Sequence, residues 1–502
     1  MSDKRGLAEL GQLLVDHDWR ILSTGGTASV LRNAGLAVTD IAEHTGFPEI
    51  MGGRVKTLHP TVHAGILARR DVDGAVLADH GIDPIDLVVV NLYPFADTVA
   101  RSDCTDDEAI EQIDVGGPAM LRAAAKNHAH VCVLCDPDDY AEVGALLPRR
   151  PDPALRRRLA AKAFKHTAAY DAQIGRYLAR SDDAETMPEH VELDLQRDAV
   201  LRYGENPHQA AAVYRPGDQP SGGLAGTIPR QGKALSYNNL LDADAAWSAA
   251  LQLGDRPGCV IIKHTNPCGA ALGDTPIAAW QSALACDPTS AFGGIVAFNR
   301  SVDHELAAVL IERFLEVVLA PEVTAEALEV LATKPRLRVL VPSPAPDPSW
   351  ELKAINGGWL VQQPDRPDTD RQHWSVATEA RPDSGTLEDL AFAWSVVTAV
   401  RSNAIVYARD QATVGIGAGQ MSRVDSARFG VLKAEDAGQS LDGAVMASDA
   451  FFPFADSIEA AAAHGIRAVI QPGGSMRDQE VIDACNRHGI AMIMTGQRHF
   501  RH

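Results

Sequence analysis

No apolar run in the 502-residue chain approaches the roughly 20 residues that a helix needs to cross a bilayer. The N-terminal MSDKRGLAEL also lacks the apolar core of a signal peptide, so a cytoplasmic protein with no membrane association is expected. Low-complexity segments are missing as well. Basic residues are in the minority, with 46 Lys+Arg against 66 Asp+Glu and a formal net charge of −20. That balance excludes a general nucleic-acid binder, which requires a broad basic footprint. It leaves anionic small substrates open, because local cations focus positive potential within a cleft while the outer surface stays acidic. Cysteine is sparse: seven scattered residues do not make a secreted disulfide framework. Cys132 and Cys135 form a CxxC inside the apolar run HVCVLC, but no second pair exists. They read as buried thiols acting as small hydrophobes, not as a zinc site.

What is present is a globular composition, 46% hydrophobic and 22% charged. The chain is too long for one hydrophobic core, so at least two domains are expected. Over the first 140 residues, compact apolar runs (WRILS, DLVVVNL, HVCVLC) alternate with helical patterns (ASVLRNAG, GPAMLRAAAKN). This is the pattern of a parallel sheet with helices on its faces. A strongly helical stretch at 154–180 and an acidic, poorly periodic segment at 181–194, read as a linker, come next. Strand-like runs then resume (GCVIIKH, GGIVAFN, LRVLVP, TVGIGAG, RAVIQP, IAMIM), with helical stretches such as DSIEAAAAHG and DQEVIDACNRHG. Pro-rich breaks at VPSPAPDPSW and QQPDRPDTDR divide this half near 340–372. No residue-level repeat is legible, so any two-lobed symmetry has to be structural.

Four motifs in the N-terminal half point to an anion site. STGGT (Ser23 to Thr27, with Gly25 and Gly26) sits between a strand and a helix, where backbone N–H groups and the helix N-terminus attract a phosphate. The same residues also suit an ordinary capped turn. In GGRVKTLHP, paired glycines precede Arg54, Lys56 and Thr57 in a segment of little regular character, as in an anion-binding loop. NLYPF places Tyr93 at the carboxyl end of an apolar strand, where open α/β sheets bind ligands; an aromatic plug over the core is the plainer alternative. QIDVGGPAMLRAAAKN carries Asp114 ahead of a helix start, and Lys126 lies about two turns beyond Pro118. That spacing predicts Lys126 on the face aligned with the N-terminal loop.

In the C-terminal half, GCVIIKHTNPCG sets Lys263 and His264 directly after a buried strand. Pro267 and Gly269 are expected to stop that strand and turn the chain. A histidine suits general-base work near neutral pH, and an adjacent ammonium stabilises developing negative charge. RYGENPHQ pairs Arg202 with Tyr203, able to hold phosphate and stack on a ring. SAFGGIVAFN, RSNAIVY, GIGAGQMSR, DAFFPF, QPGGS and the terminal TGQRHFRH bring further Gly, polar and aromatic residues beside strands. By itself the C-terminal Arg498–His502 stretch would read as a frayed tail.

Taken in order, SDKRG, STGGT, GGRVKTLHP, NLYPF, IDVGGPAMLRAAAKN, RYGENPHQ, KHTNPCG, SAFGG, RSNAIVYA, GIGAGQMSR, DAFFPFADS and RHFRH closely resemble one family. It is the bifunctional purine-biosynthesis enzymes that combine AICAR formyltransferase with IMP cyclohydrolase, AICAR being 5-aminoimidazole-4-carboxamide ribonucleotide. The resemblance runs over essentially the whole chain. It implies an α/β protein in three parts. Residues 1–145 are a doubly wound domain similar to methylglyoxal synthase. Residues 146–195 are a helical connection and linker, and 196–502 are a transformylase domain of two lobes similar to cytidine deaminase. It further implies formyl transfer from 10-formyltetrahydrofolate, as cosubstrate, to the 5-amino group of AICAR, then dehydrative closure of formyl-AICAR to IMP, in a homodimer. The zinc-deaminase signature is absent because Cys268 is followed by GAA, so catalytic zinc is not expected. The resemblance leaves a monovalent cation open.

Carried onto this sequence, the resemblance makes His264 the base and sets Lys263 at the oxyanion or the leaving nitrogen. Asn403 positions the formyl oxygen, and His502 is an active-site residue. Arg202, Tyr203, Gly293, Glu316, Arg423, Phe451 and Arg498 match AICAR contacts. In the cyclohydrolase, Lys4, Ser23, Gly25, Gly26, Thr27, Arg54 and Thr57 match nucleotide contacts. Lys56, Tyr93, Asp114 and Lys126 match the group that orients the carboxamide and stabilises charge. Two departures stand out. Arg5 replaces a small hydroxyl residue, its charge offering an electrostatic substitute, and Glu316 stands where some members have Asp. A nucleotide-sensing N-terminal domain and a zinc deaminase are the competing readings; retention of Lys56, Tyr93, Asp114 and Lys126 together speaks against the first.

Overall fold

In the computed structural model, which describes residues 1–502 except 180–186, 188, 192, 217–221, 345–349 and 368–370, the chain divides into two compact units, Met1–Asp194 and Leu195–His502. Parts of the expected linker at 181–194 and of both Pro-rich breaks lie outside the described residues.

In the first unit the short apolar runs become strands β1 (Ile21–Ser23), β2 (Val38–Asp40), β3 (Leu87–Val89) and β4 (Cys132–Leu134). They pair in parallel as β1–β2 and β3–β4. Helices Gly25–Asn33 and Gly116–Lys126 form where the sequence places them. Helix Pro153–Leu178 starts at Asp152, whose carboxylate accepts from the Leu155 N–H, with Pro153 in the first turn where its missing donor is harmless. It is more than a connection. Leu159, Ala160, Ala163 and Tyr170 join Leu121, Leu134 and Phe95 in the core of this unit.

The second unit contains β5 (Leu195–Leu201), β6 (Ala211–Pro216), β7 (Gly258–Lys263), β8 (Asn266–Leu272), β9 (Gly294–Phe298), β10 (Leu315–Leu319) and β11 (Arg338–Leu340). These are followed by β12 (Glu351–Ile355), β13 (Gly358–Gln362), β14 (Ser375–Val376), β15 (Ile405–Arg409), β16 (Ala412–Gly417), β17 (Val445–Ser448), β18 (Ala468–Gln471) and β19 (Ala491–Met494). Among the described residues, eleven of them form one sheet in the order β11-β10-β9-β7-β8-β16-β15-β17-β18-β19-β14. Both faces are covered, which is why the strands read as continuous apolar runs. Along β7, Val260 and Ile262 belong to the core under the Ala-rich helix Tyr237–Leu251, while Cys259 and Ile261 belong to the core on the other face with Trp280.

The sheet consists of two matching halves. Each runs helix, antiparallel hairpin, then three helix–strand units: helix Tyr237–Leu251 through β11, and helix Ser384–Val397 through β19. The pairings match as well, β7–β9 and β15–β17 being antiparallel and the outer strands parallel. Both hairpins carry a register shift just before the tip, between Ile261 and Ile262 and between Tyr407 and Ala408. A residue-level trace exists after all. Leu240-x-Asp242 with Trp247 in the first helix matches Leu387-x-Asp389 with Trp394 in the second. It is too sparse to read without the topology.

One local expectation is corrected. Pro267 and Gly269 do not stop the chain; both lie inside β8, and the turn is His264–Thr265, with φ of 51° and 63°. Pro267 is tolerated because it sits at the register shift, where a missing donor breaks no regular ladder. Gly269 serves packing, since a Cβ there would come 2.0 Å from the Ala283 carbonyl oxygen of the helix above.

Candidate active sites

In the first unit a cleft of about 1130 Å³ is lined by Lys4, Ser23, Gly25, Gly26, Thr27, Arg54, Lys56, Thr57, Tyr93 and Asp114. SDKRG is pinned to the end of β3 by Asn91, whose Oδ1 accepts from the N–H groups of Ser2 (2.7 Å) and Asp3 (3.1 Å) and whose Nδ2 donates to Asp3 O (2.6 Å). Helix Gly25–Asn33 receives no side-chain cap from Thr24, which leaves first-turn N–H groups at the cleft for an anion. Lys56 reaches the same place: a Cβ built on Gly25 would lie 4.0 Å from its Nζ, and the Glu49 carboxylate is 3.8 Å away. Arg54 is paired with Glu111.

Asp114 is fixed from two sides. Its N–H donates to the Tyr170 hydroxyl at 2.8 Å, and its Oδ1 accepts from the Gly117 N–H at 2.8 Å. Gly117 has no room for a side chain, since a Cβ would meet Asp114 Oδ2 at 2.4 Å. Tyr93 is 39% exposed and lines the cleft, so it is no plug over the core. Asn91, Glu111 and Tyr170 were not singled out from sequence; a polar Asn at a buried strand end was the available signal.

Lys126 is not among the residues that line this cleft. The helix presents Gly116, Gly117 and Met120 to it, and Lys126, six residues beyond Met120, lies about 120° round the helix from that residue. The Arg5 guanidinium pairs with Asp3 and Asp138, and it too is absent from the lining.

In the second unit the tip of the β7–β8 hairpin meets segments from both halves. Lys263 Nζ donates to the carbonyls of Phe292 (2.9 Å) and Gly293 (3.3 Å), which brings SAFGG against KHTN. Gly293 has φ 65°, and a Cβ would sit 3.4 Å from that ammonium. His264 is exposed at the tip. Asn266 Oδ1 accepts from the Arg401 N–H at 3.0 Å, joining KHTN to RSNAIVY across the β8–β16 seam. Asn403 is held by Gln420 O, which accepts from its N–H (3.2 Å) and Nδ2 (2.9 Å).

Arg423 is engaged within the second unit. It is 7% exposed, and its guanidinium is engaged with Asp449, with Ser448 Oγ (2.8 Å) and with Asn403 Oδ1 (2.8 Å). It braces Asn403. The C-terminal stretch is docked and not frayed: the Ser402 N–H donates to Arg501 O (2.9 Å), the Arg501 N–H to Ser402 Oγ (3.1 Å), and the His499 N–H to Asp449 O (3.0 Å). His502 follows, exposed, its ring 5.4 Å from that of Phe500.

The remaining residues are placed as follows. Arg202 lies over the Tyr203 ring at 5.5 Å, and Asn238 Nδ2 donates to Glu205 O (3.3 Å), tying this motif to the helix that precedes β7. Arg498 lies over Phe500 at 4.7 Å, Phe451 is half-buried, and Glu316 accepts from Arg338 Nη1 at 2.8 Å. Ser402, Gln420 and Asp449 were not identified from sequence. Among the described residues, no group of three or more His, Cys, Asp or Glu side chains gathers as a metal site, and no helix is long and apolar enough to cross a membrane.

A family model described as the AICARFT/IMPCHase bienzyme matches residues 124–433, and one described as an MGS-like domain matches residues 6–119. The bifunctional purine biosynthesis protein PurH of Xanthomonas campestris pv. campestris (strain 8004) is 52% identical over 514 residues, covering 100% of this chain and 97% of its own. That of Acidithiobacillus ferrooxidans is 51% identical over 513 residues, with 100% and 98% covered. A solved structure described as the crystal structure of ForH is 43% identical, covers 36% of this chain and 95% of its own, and has a TM-score of 0.33. The chain therefore belongs to the bifunctional purine-biosynthesis enzymes that formylate AICAR and close the product to IMP.

Proposed function

We propose that the two activities divide between the two units, ring closure in Met1–Asp194 and formyl transfer in Leu195–His502. The observation that carries this is the gathering of Lys56, Tyr93 and Asp114 in one cleft of the first unit, while in the second the segments bearing Lys263-His264 and Asn403 are joined by the Arg401 N–H donating to Asn266 Oδ1.

In formyl transfer, the AICAR amine attacks the formyl carbon of 10-formyltetrahydrofolate. His264 takes the amine proton, directly or through the substrate. Lys263 lies beside the charge that develops on the formyl oxygen or protonates the leaving folate nitrogen, with Asn403 orienting that oxygen. Two of the three Lys263 ammonium protons have carbonyl partners, which leaves one for substrate. Arg202, Tyr203, Gly293, Glu316, Phe451, Arg498 and His502 complete the AICAR and folate site. In ring closure, the carboxamide nitrogen attacks the formyl carbon and water leaves. Lys4, Ser23, Gly25, Gly26, Thr27, Arg54 and Thr57 hold the nucleotide, and Lys56, Tyr93 and Asp114 orient the carboxamide.

The duplicated order of helix, hairpin and three helix–strand units supports two cytidine-deaminase-like lobes. The Cys268 thiol, pushed up by burial and followed by Gly269, fits a packed side chain and not a zinc thiolate. The hairpins β5–β6 and β12–β13 expose Val200 (70%), Trp359 (62%) and Leu360 (56%). Two-stranded hairpins with bare apolar side chains need cover, which supports the homodimer. The cytoplasm is the proposed compartment.

The test is a pair of variants in the full chain. His264→Ala abolishes formyl transfer and leaves closure of supplied formyl-AICAR intact, whereas Lys56→Ala does the reverse. Loss of both activities in either folded variant overturns the division. Light scattering reads the dimer.

A further inference from the structure

We propose that Asp242 is a positioning residue for formyl transfer: its carboxylate holds the left-handed turn that presents His264. The inference rests on reading His264 as the base. Asp242, on helix Tyr237–Leu251, accepts the Thr265 backbone N–H through Oδ1 at 2.6 Å. His264 and Thr265 have φ of 51° and 63°. Two-residue hairpin turns of this hand favour Asn and Gly, and a β-branched Thr there is disfavoured. The turn therefore needs a hold from outside, and a charge-assisted bond to its second N–H supplies one. The same turn fixes the His264 carbonyl, which accepts from Thr265 Oγ1 (2.7 Å) and Asn266 Nδ2 (3.3 Å).

The second half of the sheet repeats the device. Asp389 occupies the matching position on helix Ser384–Val397 and accepts the Gln411 N–H at 2.8 Å. Its turn, Asp410–Gln411, has φ of 53° and 56°. The tips differ: Lys263-His264 in one, Arg409-Asp410 in the other. Arg409 donates inward to the carbonyls of Ser440 (3.0 Å) and Asp442 (2.9 Å). The clamp thus belongs to the fold, and in the first half alone its tip bears the base.

Asp242→Ala is expected to lower the formyl-transfer kcat on the order of tenfold to a hundredfold through misplacement of His264. The KM for AICAR should change by less than about twofold, and ring closure by the same preparation should be unchanged. Asp242→Asn retains most of the rate, because its amide oxygen still accepts. The decisive variant is Asp242→Ala with Thr265→Gly: glycine adopts the left-handed turn unaided and restores kcat. Asp389→Ala leaves formyl transfer intact. Full kcat in Asp242→Ala, or a loss that Thr265→Gly fails to restore, overturns the inference. So does an equal loss in Asp389→Ala, which would make the effect one of general stability. Should Asp242→Ala not fold, Asp242→Glu carries the same prediction and the same rescue. His264→Ala run alongside separates the two ideas: full formyl transfer in that variant sinks the assignment of the base, whatever Asp242 does.

Discussion

The Tyr170 hydroxyl accepts the Asp114 N–H at 2.8 Å and donates to Gln112 O at 2.9 Å. Helix Pro153–Leu178 thereby fixes a loop that lines the cleft of the first unit. Tyr170→Phe removes both bonds while keeping the ring in the core. Losing them costs about 1–3 kcal/mol, and steady-state assays should show ring closure slowed on the order of tenfold with formyl transfer unchanged.

Gly117→Ala tests the same loop from the other side. The new methyl would meet Asp114 Oδ2 at 2.4 Å and Leu92 Cδ2 at 2.8 Å, so Asp114 must move. Ring closure should fall at least tenfold or so by the same misplacement argument. Gly74→Ala, with nothing within 4 Å of its Cβ, is the comparison. Equal activity in the two variants would show that the Asp114 placement does not matter.

Arg423→Met leaves the Asp449 carboxylate, which is 0% exposed, without its cation. Breaking a buried pair on one side costs about 3–5 kcal/mol. A lowered Tm together with lost formyl transfer is expected. Adding Asp449→Asn should recover part of the stability without recovering activity, since Asn403 still lacks its brace.

Burial pushes the thiols of Cys132 and Cys135 up to about 11, and those of Cys286 and Cys485 up to about 12. At pH 8 their thiolate fractions are about one in a thousand or less. A colorimetric thiol reagent should therefore label these four slowly in the native enzyme and all seven cysteines promptly in denaturant. Fast native labelling of Cys132 would contradict its burial.

Much of this was legible in the sequence because the signals were local. GCVIIKH became β7, since a strand covered on both faces must be apolar throughout. The first-unit motifs STGGT, GGRVKTLHP and NLYPF line one cleft, because Gly and polar residues beside strand ends mark where loops converge. Lys126 is not among the cleft-lining residues because two turns of helix preserve a face only roughly, and the cleft face runs through Gly117 and Met120. Pro267 misled because a proline signals a stop unless a neighbouring register shift absorbs it, and that depends on the partner strand. Asp242 was invisible because its meaning depends on Thr265 and on a counterpart in another helix.

The seam between β8 and β16 is narrow. Ala271 faces Ala412, and the Thr413 hydroxyl donates to Ala270 O (3.1 Å) and accepts from the Ala270 N–H (2.9 Å). The proposed base, His264, stands on one side of this seam, and Asn403, proposed to orient the formyl oxygen, stands on the other. On that assignment neither half owns a complete catalyst. An enzyme nicked within 341–374 would hold its activity as joint property, so formyl transfer by separately expressed fragments would be a direct gauge of their reunion.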